Sequence, residues 1–309
     1  MRSAALFYNP LSGRRRQRRI ADVEAVLKVF RDAGIQAEAA ETQGPNWTGE
    51  QVREAIRAGA DTIFGCGGDG TVHDVIQGMV GTDATLGIIP MGTANALAHD
   101  LKIPLSPVAA AKAALRARPR QISVGRIAYT GFDGCKGARY FIIAVGAGVD
   151  AHLFYKLNPL VKSRVGMAAY YSKATRLWLT HPLENFLVQV DGGHPLPVSQ
   201  LLAVRIRFFG GVLRELAPGA SLERDDLRMV LFRTRSRIAY LRYILRGMFG
   251  QPWEIRGIEL VYGRKVTCRM VKDVLPQKSR IFVEADGELL GTLPADVEMV
   301  AEKLNMLAP

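Results

Sequence analysis

Cysteine is scarce in this sequence. The three present, Cys66, Cys135 and Cys268, are odd in number and far apart, which excludes a disulfide framework or a CxxC metal clip and makes a reducing compartment the simpler setting. The five histidines (73, 99, 152, 181 and 194) lack zinc-ligand spacing, so no transition metal is expected. Nowhere do eighteen uninterrupted apolar residues occur, so no membrane-spanning helix is expected. The opening MRSAALFYNP has no long apolar core, and a signal peptide is not expected either. Internal repeats, low-complexity linkers and RRM, KH or helix-turn-helix signatures are missing as well. Acid is outweighed by base, with 29 Asp and Glu against 41 Lys and Arg, a formal charge of +12. Such a balance favours an anionic partner, whether nucleic acid, phosphorylated metabolite or acidic membrane surface, without choosing among them. A hydrophobic content of 48% over 309 residues excludes disorder and leaves room for two modest domains.

What is present falls into two textures. Up to about residue 125, short apolar strands (4–9, 35–42, 62–66, 86–90) alternate with helical patterns (18–33, 48–59, 70–80). Ile20, Val23, Val26, Leu27 and Phe30 repeat at helical spacing up to Gly34, and Thr48 is the expected N-cap of the next helix. Alternation of this kind predicts a parallel, helix-covered sheet with ligands at the carboxyl ends of its strands. Three of those strands end in polar, glycine-bearing turns: NPLSG, GCGGDGT and PMGTAN. Beyond residue 122 the chain is strand-rich, with helical stretches only at 165–179 and 236–249, which predicts a β-sandwich-like second domain. The expected domains are 1–124 and 125–309, the last residues packing back on the first.

The stretch TIFGCGGDGTVHDV holds four glycines between Gly65 and Gly70, with Asp69 among them. Bare backbone amides after a strand receive phosphate, yet a carboxylate there should repel it. GCGGDG fits the dinucleotide fingerprint formally, but the next strand ends in Pro90 and Met91 where a ribose-binding acid is required. The GK[ST] of a P-loop is absent. A nucleoside triphosphate carried with Mg²⁺ resolves the repulsion, because Asp69 then faces a cation or an acceptor hydroxyl while the amides of 67–71 and the Thr71 hydroxyl hold phosphate oxygens.

GGDGTVHDVIQGM (67–79), NPLSG (9–13) and IPMGTANALAHDL (89–101) resemble the nucleotide-side motifs of the diacylglycerol kinase catalytic family, which includes bacterial lipid kinases and the sphingosine and ceramide kinases. The resemblance continues in order through FIIAVGAGVDA (141–151), LAPGASLERDDLRMVLF (216–232) and FVEADGELL (282–290), nearly the whole chain. It implies an α/β domain like those of NAD kinases and phosphofructokinases, joined to a β-sandwich. It also implies ATP with Mg²⁺, transfer to the hydroxyl of a lipid alcohol such as diacylglycerol, a sphingoid base or ceramide, and a cytoplasmic protein peripherally associated with an anionic membrane. Nucleic acid is not an implied partner, and a homodimer is left open.

Position by position, the resemblance puts Asn9, Thr42, Gly67, Gly68, Asp69, Gly70, Thr71, Val72, His73 and Thr93 around ATP between the two domains. Asp69 and Glu288 become the catalytic pair, with Glu288 as general base for the acceptor hydroxyl. Asp150 stands near the lipid head group, and Asp225 with the Leu227 carbonyl matches a Mg²⁺ site in the β domain. The chain departs from the family at His73-Asp74, where Asn-Glu is usual, at Asp226, where Gly is usual, and at Ser123, where Asp is common. Two rival readings stay open: a soluble-substrate kinase of the NAD-kinase type, and a non-catalytic lipid- or nucleotide-binding regulator.

Two basic features remain. RRRQRR (14–19) is either a solvated helix start or an attractor of anionic lipid or ATP phosphate. In 237–249, Ile238, Leu241, Ile244, Leu245 and Met248 share one helical face, ordinarily a core stripe, while a helix lying on acidic lipid is the competing idea. The stretch 165–179, with Lys173, Arg176 and Trp178, is a second candidate of that kind.

Overall fold

The computed structural model describes residues 1–10, 18–148, 183–210, 215–249, 254–271 and 281–308. Asp150, the stretch 165–179 and most of the NPLSG-RRRQRR segment lie outside the described residues. The chain divides into two compact units, one of Met1–Val124, Phe208–Leu213 and Val300–Pro309, the other of Gly125–Arg207 and Arg214–Met299.

In the first unit, β1 (Ser3–Tyr8), α1 (Arg19–Asp32), β2 (Gln36–Glu41), α2 (Thr48–Arg57), β3 (Thr62–Gly67), α3 (Asp69–Met79), β4 (Thr85–Pro90), α4 (Ala96–Asp100) and α5 (Pro107–Ala114) follow one another. The strands lie parallel in the order β2-β1-β3-β4. Helix α1 buries Val23, Val26, Leu27 and Phe30, the i, i+3, i+4, i+7 set that makes one face, whereas Ile20 from the same pattern is exposed. Phe30 lies on Phe64 of β3 with ring centroids 4.7 Å apart. Helix α2 differs from expectation at its start: Trp47 occupies the cap, and Thr48 is the first helical residue, its hydroxyl donating to the Gly44 carbonyl at 2.9 Å.

The second unit is antiparallel. Its strands are β5 (Arg118–Thr130, which begins in the first unit), β6 (Lys136–Phe141), β7 (Ala144–Gly148), β8 (Phe186–Val190), β9 (Leu196–Val198), β10 (Gln200–Val204), β11 (Leu227–Phe232), β12 (Ile258–Gly263), β13 (Lys265–Met270), β14 (Phe282–Ala285) and β15 (Glu288–Ala308). Helix α6 (Arg237–Phe249) lies between β11 and β12 in sequence. One layer runs β12-β11-β10-β7-β14-β15, and β13, β8 and β9 extend from β15. A single apolar core fills the unit, drawn from both sets of strands and including Phe141, Phe186, Leu201, Leu231 and Val266. The expected α/β-plus-β-sandwich fold is the one observed. Strand β15 enters the first unit at its far end, where Asn305 and Met306 pair in parallel with Thr85 and Leu86 of β4.

Candidate active site

The strand order of the first unit fixes where a ligand should sit. From β1 the chain passes through α1 to β2 on one side, then through α2 to β3 on the other side of β1. The loops after β1 and β3 therefore part at the carboxyl edge, the switch point at which open parallel sheets bind ligands. Register places the strand ends level: Tyr8 lies beside both Glu41 and Cys66, and Gly67 beside Pro90. Asn9, Thr42, the Gly67–Asp69 turn and the Met91–Asn95 turn thus emerge along one edge.

Two of these turns touch backbone to backbone. A Cβ on Gly92 would stand 2.3 Å from the Gly68 Cα, and one on Gly67 would stand 2.2 Å from the Thr71 hydroxyl oxygen. Glycine is required there by space rather than by conformation. The Asp69 carboxylate crosses the same gap, accepting the backbone N–H of Ala96 (3.1 Å) and of Leu97 (3.3 Å) at the start of α4. Asn95 adopts the left-handed conformation (φ 50°), and its side-chain amide pairs with both polar backbone groups of Gly92, at 2.9 and 3.1 Å. The acid that is odd for a phosphate loop here ties that loop to its neighbour.

Beneath the edge lies a cation. Arg19, the last arginine of the basic run and 2% exposed, donates to the Met91 carbonyl at 2.8 Å. Burial lowers its pKa, an effect that the Asp22 carboxylate partly offsets. Neither a solvated position nor a lipid contact describes this residue: it is a fixed positive charge under the turn that follows β4.

In the second unit the ADGE hairpin is built around buried acid. Asp286 and Gly287 both have positive φ (50° and 84°), the geometry of the two-residue Asp-Gly turn between β14 and β15. The Asp286 carboxylate accepts the N–H groups of Ile142 (3.0 Å), Ile143 (2.8 Å) and Ala144 (3.0 Å) just before and at the start of β7. Glu284 is 4% exposed, accepts the Gly287 N–H at 2.9 Å, and lies where a Cβ on Gly146 would be, 2.7 Å from its Oε1. Glu288, two residues past Asp286, is exposed.

Of the residues anticipated around nucleotide, Asn9, Thr42, Gly68, Asp69, Gly70 and Thr93 are open to solvent in part or more, while Gly67, Thr71, Val72 and His73 are buried. His73, at 2% exposure, packs inside α3 rather than on its rim. Around the anticipated metal position, Arg224 grips the Asp226 carboxylate through two contacts of 2.7 and 2.6 Å. Arg205 is fully buried, donating to the Leu222 carbonyl at 3.0 Å, and burial pulls its pKa to about 10 although the carboxylates of Asp225, Asp226 and Asp286 favour its charge. No group of three or more His, Cys, Asp or Glu arranged to hold a metal occurs among the described residues. The acids in this turn already have the Arg205 guanidinium as a counter-charge. Asn95, Asp286 and Glu284 are the site-supporting residues that sequence reading missed, and Arg19 was noticed only as one of a basic run. Asn before a short helix and Asp-Gly between strands were the available signals for Asn95 and Asp286.

A parallel α/β unit with a glycine turn at its switch point, followed by an antiparallel sandwich carrying an acidic hairpin, defines a protein of the α/β-plus-β-sandwich class. Family comparison gives the class its name. Residues 3–127 match the diacylglycerol kinase catalytic domain, and residues 143–308 match the YegS C-terminal NAD kinase beta sandwich-like domain. The chain belongs to the diacylglycerol kinase catalytic family. A diacylglycerol kinase of Bacillus subtilis is 26% identical over 100% of this chain and 97% of its own length. One from Staphylococcus aureus is 23% identical over 99% and 92%. A crystal structure of a diacylglycerol kinase from Bacillus anthracis shares the fold, with a TM-score of 0.70 at 18% identity and coverage of 99% and 97%.

Proposed function

We propose that this kinase transfers the γ-phosphate of ATP, taken as its Mg²⁺ complex, to the hydroxyl of a lipid alcohol such as diacylglycerol, a sphingoid base or ceramide. The observation that carries the reading is the convergence of Asn9, Thr42, the Gly67–Gly70 turn and Thr93 on one sheet edge, where Asp69 binds two of the turns together. Phosphoryl transfer asks mainly for positioning and charge stabilisation, and a rigid pair of glycine turns supplies both. Backbone amides at the amino-terminal end of α3 hold phosphate oxygens in this reading; those of Thr71 and Val72 are also bonded to the Gly68 carbonyl, at 3.0 and 3.2 Å. Arg19 adds positive charge from below. Bound Mg²⁺ would neutralise charge on the transferring group.

Glu288 is the base in this reading: it takes the proton of the acceptor hydroxyl as that oxygen attacks phosphorus. Asp286 acts through it, holding the hairpin that presents it. Asp150 stays the proposed head-group contact. Asp225 and the Leu227 carbonyl stay a proposed Mg²⁺ site that the transfer step does not use. The protein works at an anionic membrane, and no helix among the described residues is long and apolar enough to cross one.

The test is incubation with γ-labelled ATP and a panel of diacylglycerol, sphingosine, ceramide and NAD. Label in one lipid, lost on removal of Mg²⁺, is the expected result. Label in NAD alone, or in none of the four despite ATP binding, overturns the reading.

A further inference from the structure

Helix α6 presents the wrong face to the core. Its buried residues are Ala239, Tyr240, Tyr243 and Gly247. The aliphatic stripe points outward: Ile238 is 65% exposed, Leu241 47%, Ile244 38%, Leu245 42% and Phe249 68%. The inversion is firmly built. Tyr240 and Tyr243 rest on Phe232 with ring centroids 4.4 and 4.9 Å away. The Tyr240 hydroxyl shares a 2.8 Å hydrogen bond with the Ser199 hydroxyl, and the Tyr243 hydroxyl donates to the Leu216 carbonyl at 2.9 Å. The two tyrosines are spent inward, and the large aliphatic side chains face out. An exposed apolar patch on a fixed helix marks an interaction surface.

Charge narrows the occupant. The helix contains no acid. On helical spacing Arg242 borders the stripe, and Arg235 stands just before the helix, whereas Arg237 and Arg246 are half-buried and one guanidinium nitrogen of Arg246 is turned in. Arg235 and Arg242 are exposed. An apolar strip bordered by arginine is the pattern of a helix lying in a membrane interface, with side chains in the acyl boundary and guanidinium groups among anionic head groups. We propose that α6 is the element by which this protein docks on anionic membrane, through Ile238, Leu241, Leu245 and Phe249. The proposal names a partner consistent with a lipid substrate but does not need the kinase reading, since docking is measured without turnover.

Sedimentation of the full chain with phosphatidylcholine vesicles, with and without phosphatidylglycerol, is the test. Binding that requires phosphatidylglycerol and weakens with added salt is expected. L241E/L245E should lower it at least tenfold, as should R235E/R242E, which leaves the apolar face intact; all four positions are exposed, and unchanged melting would show the fold kept. Activity on lipid dispersed in detergent micelles should survive both changes, so a loss of docking and a failure of the lipid-kinase reading are told apart. Wild-type binding that ignores anionic lipid, or variants that bind as before, overturns the proposal. So does a dimer that L241E/L245E converts to monomer while vesicle binding stays unchanged, because the face would then belong to a second copy.

Discussion

Single residues divide the labour between holding the site and doing chemistry. Asp69 is both a catalytic proposal and a strut, and its two acceptor contacts to α4 make the roles separable. Asp69→Ala should lose turnover by about 100-fold or more and also stability of about 1 kcal/mol, the ordinary cost of a lost helix cap. Asp69→Asn keeps an acceptor for one amide and should melt nearer the wild type while losing comparable turnover; a kinase assay beside thermal denaturation reads both. The ADGE hairpin offers a cleaner contrast. Glu288 is exposed, so Glu288→Gln should lower turnover by about 10²–10⁴-fold with melting unchanged. Asp286→Ala strands three backbone N–H groups, and at about 1–3 kcal/mol for each buried donor left unmet it should destabilise the unit severely. The oddity of an acid among glycines was legible in sequence. What that acid touches was not, because Ala96 and Leu97 lie 27 and 28 residues away, and nothing local encodes that pairing.

Among elements, the first unit was the more readable. Period-3.6 stripes in α1 and α3 and compact apolar runs in β1, β3 and β4 made type and order plain, since a helix closes its own hydrogen bonds and a parallel strand covered on both faces reads as a continuous apolar run. Strands of the second unit merge in the sequence: the apolar run 139–148 belongs to two strands broken before Ala144, and β15 runs on from Glu288 to Ala308. Alternation cannot tell a bend from an end. Helix α6 shows the opposite limit, because the aliphatic stripe was readable but the core took the tyrosine side, where hydroxyl partners and the Phe232 ring were waiting. Contact between turns is also an element-scale property. Gly92→Ala sets a methyl 2.3 Å from the Gly68 Cα, with no flexible side chain to yield. It should cost about 1–3 kcal/mol and raise the KM for ATP more than that for the lipid, as steady-state kinetics with each substrate varied would reveal.

For the molecule as a whole, the charge of +12 is a statement about partners rather than fold. It agrees with the proposals made above, anionic phosphate on one unit and anionic lipid on the other. Broad class was readable from composition and the order of motifs. How the two units share the chain is set by β15, whose last residues leave the sandwich to lie beside β4. That sharing imposes a timetable on synthesis. The α/β unit emerges first from the ribosome but waits for its closing strand until the whole β unit has followed. In the interval β4 offers an unpaired edge, the kind of surface that recruits wrong strands. Residues 1–299 alone should therefore be released as an aggregation-prone protein, and a peptide of residues 300–308 supplied in trans should restore its solubility, as light scattering would report. A carboxyl-terminal nonsense change in this chain would be a defect of its amino-terminal half.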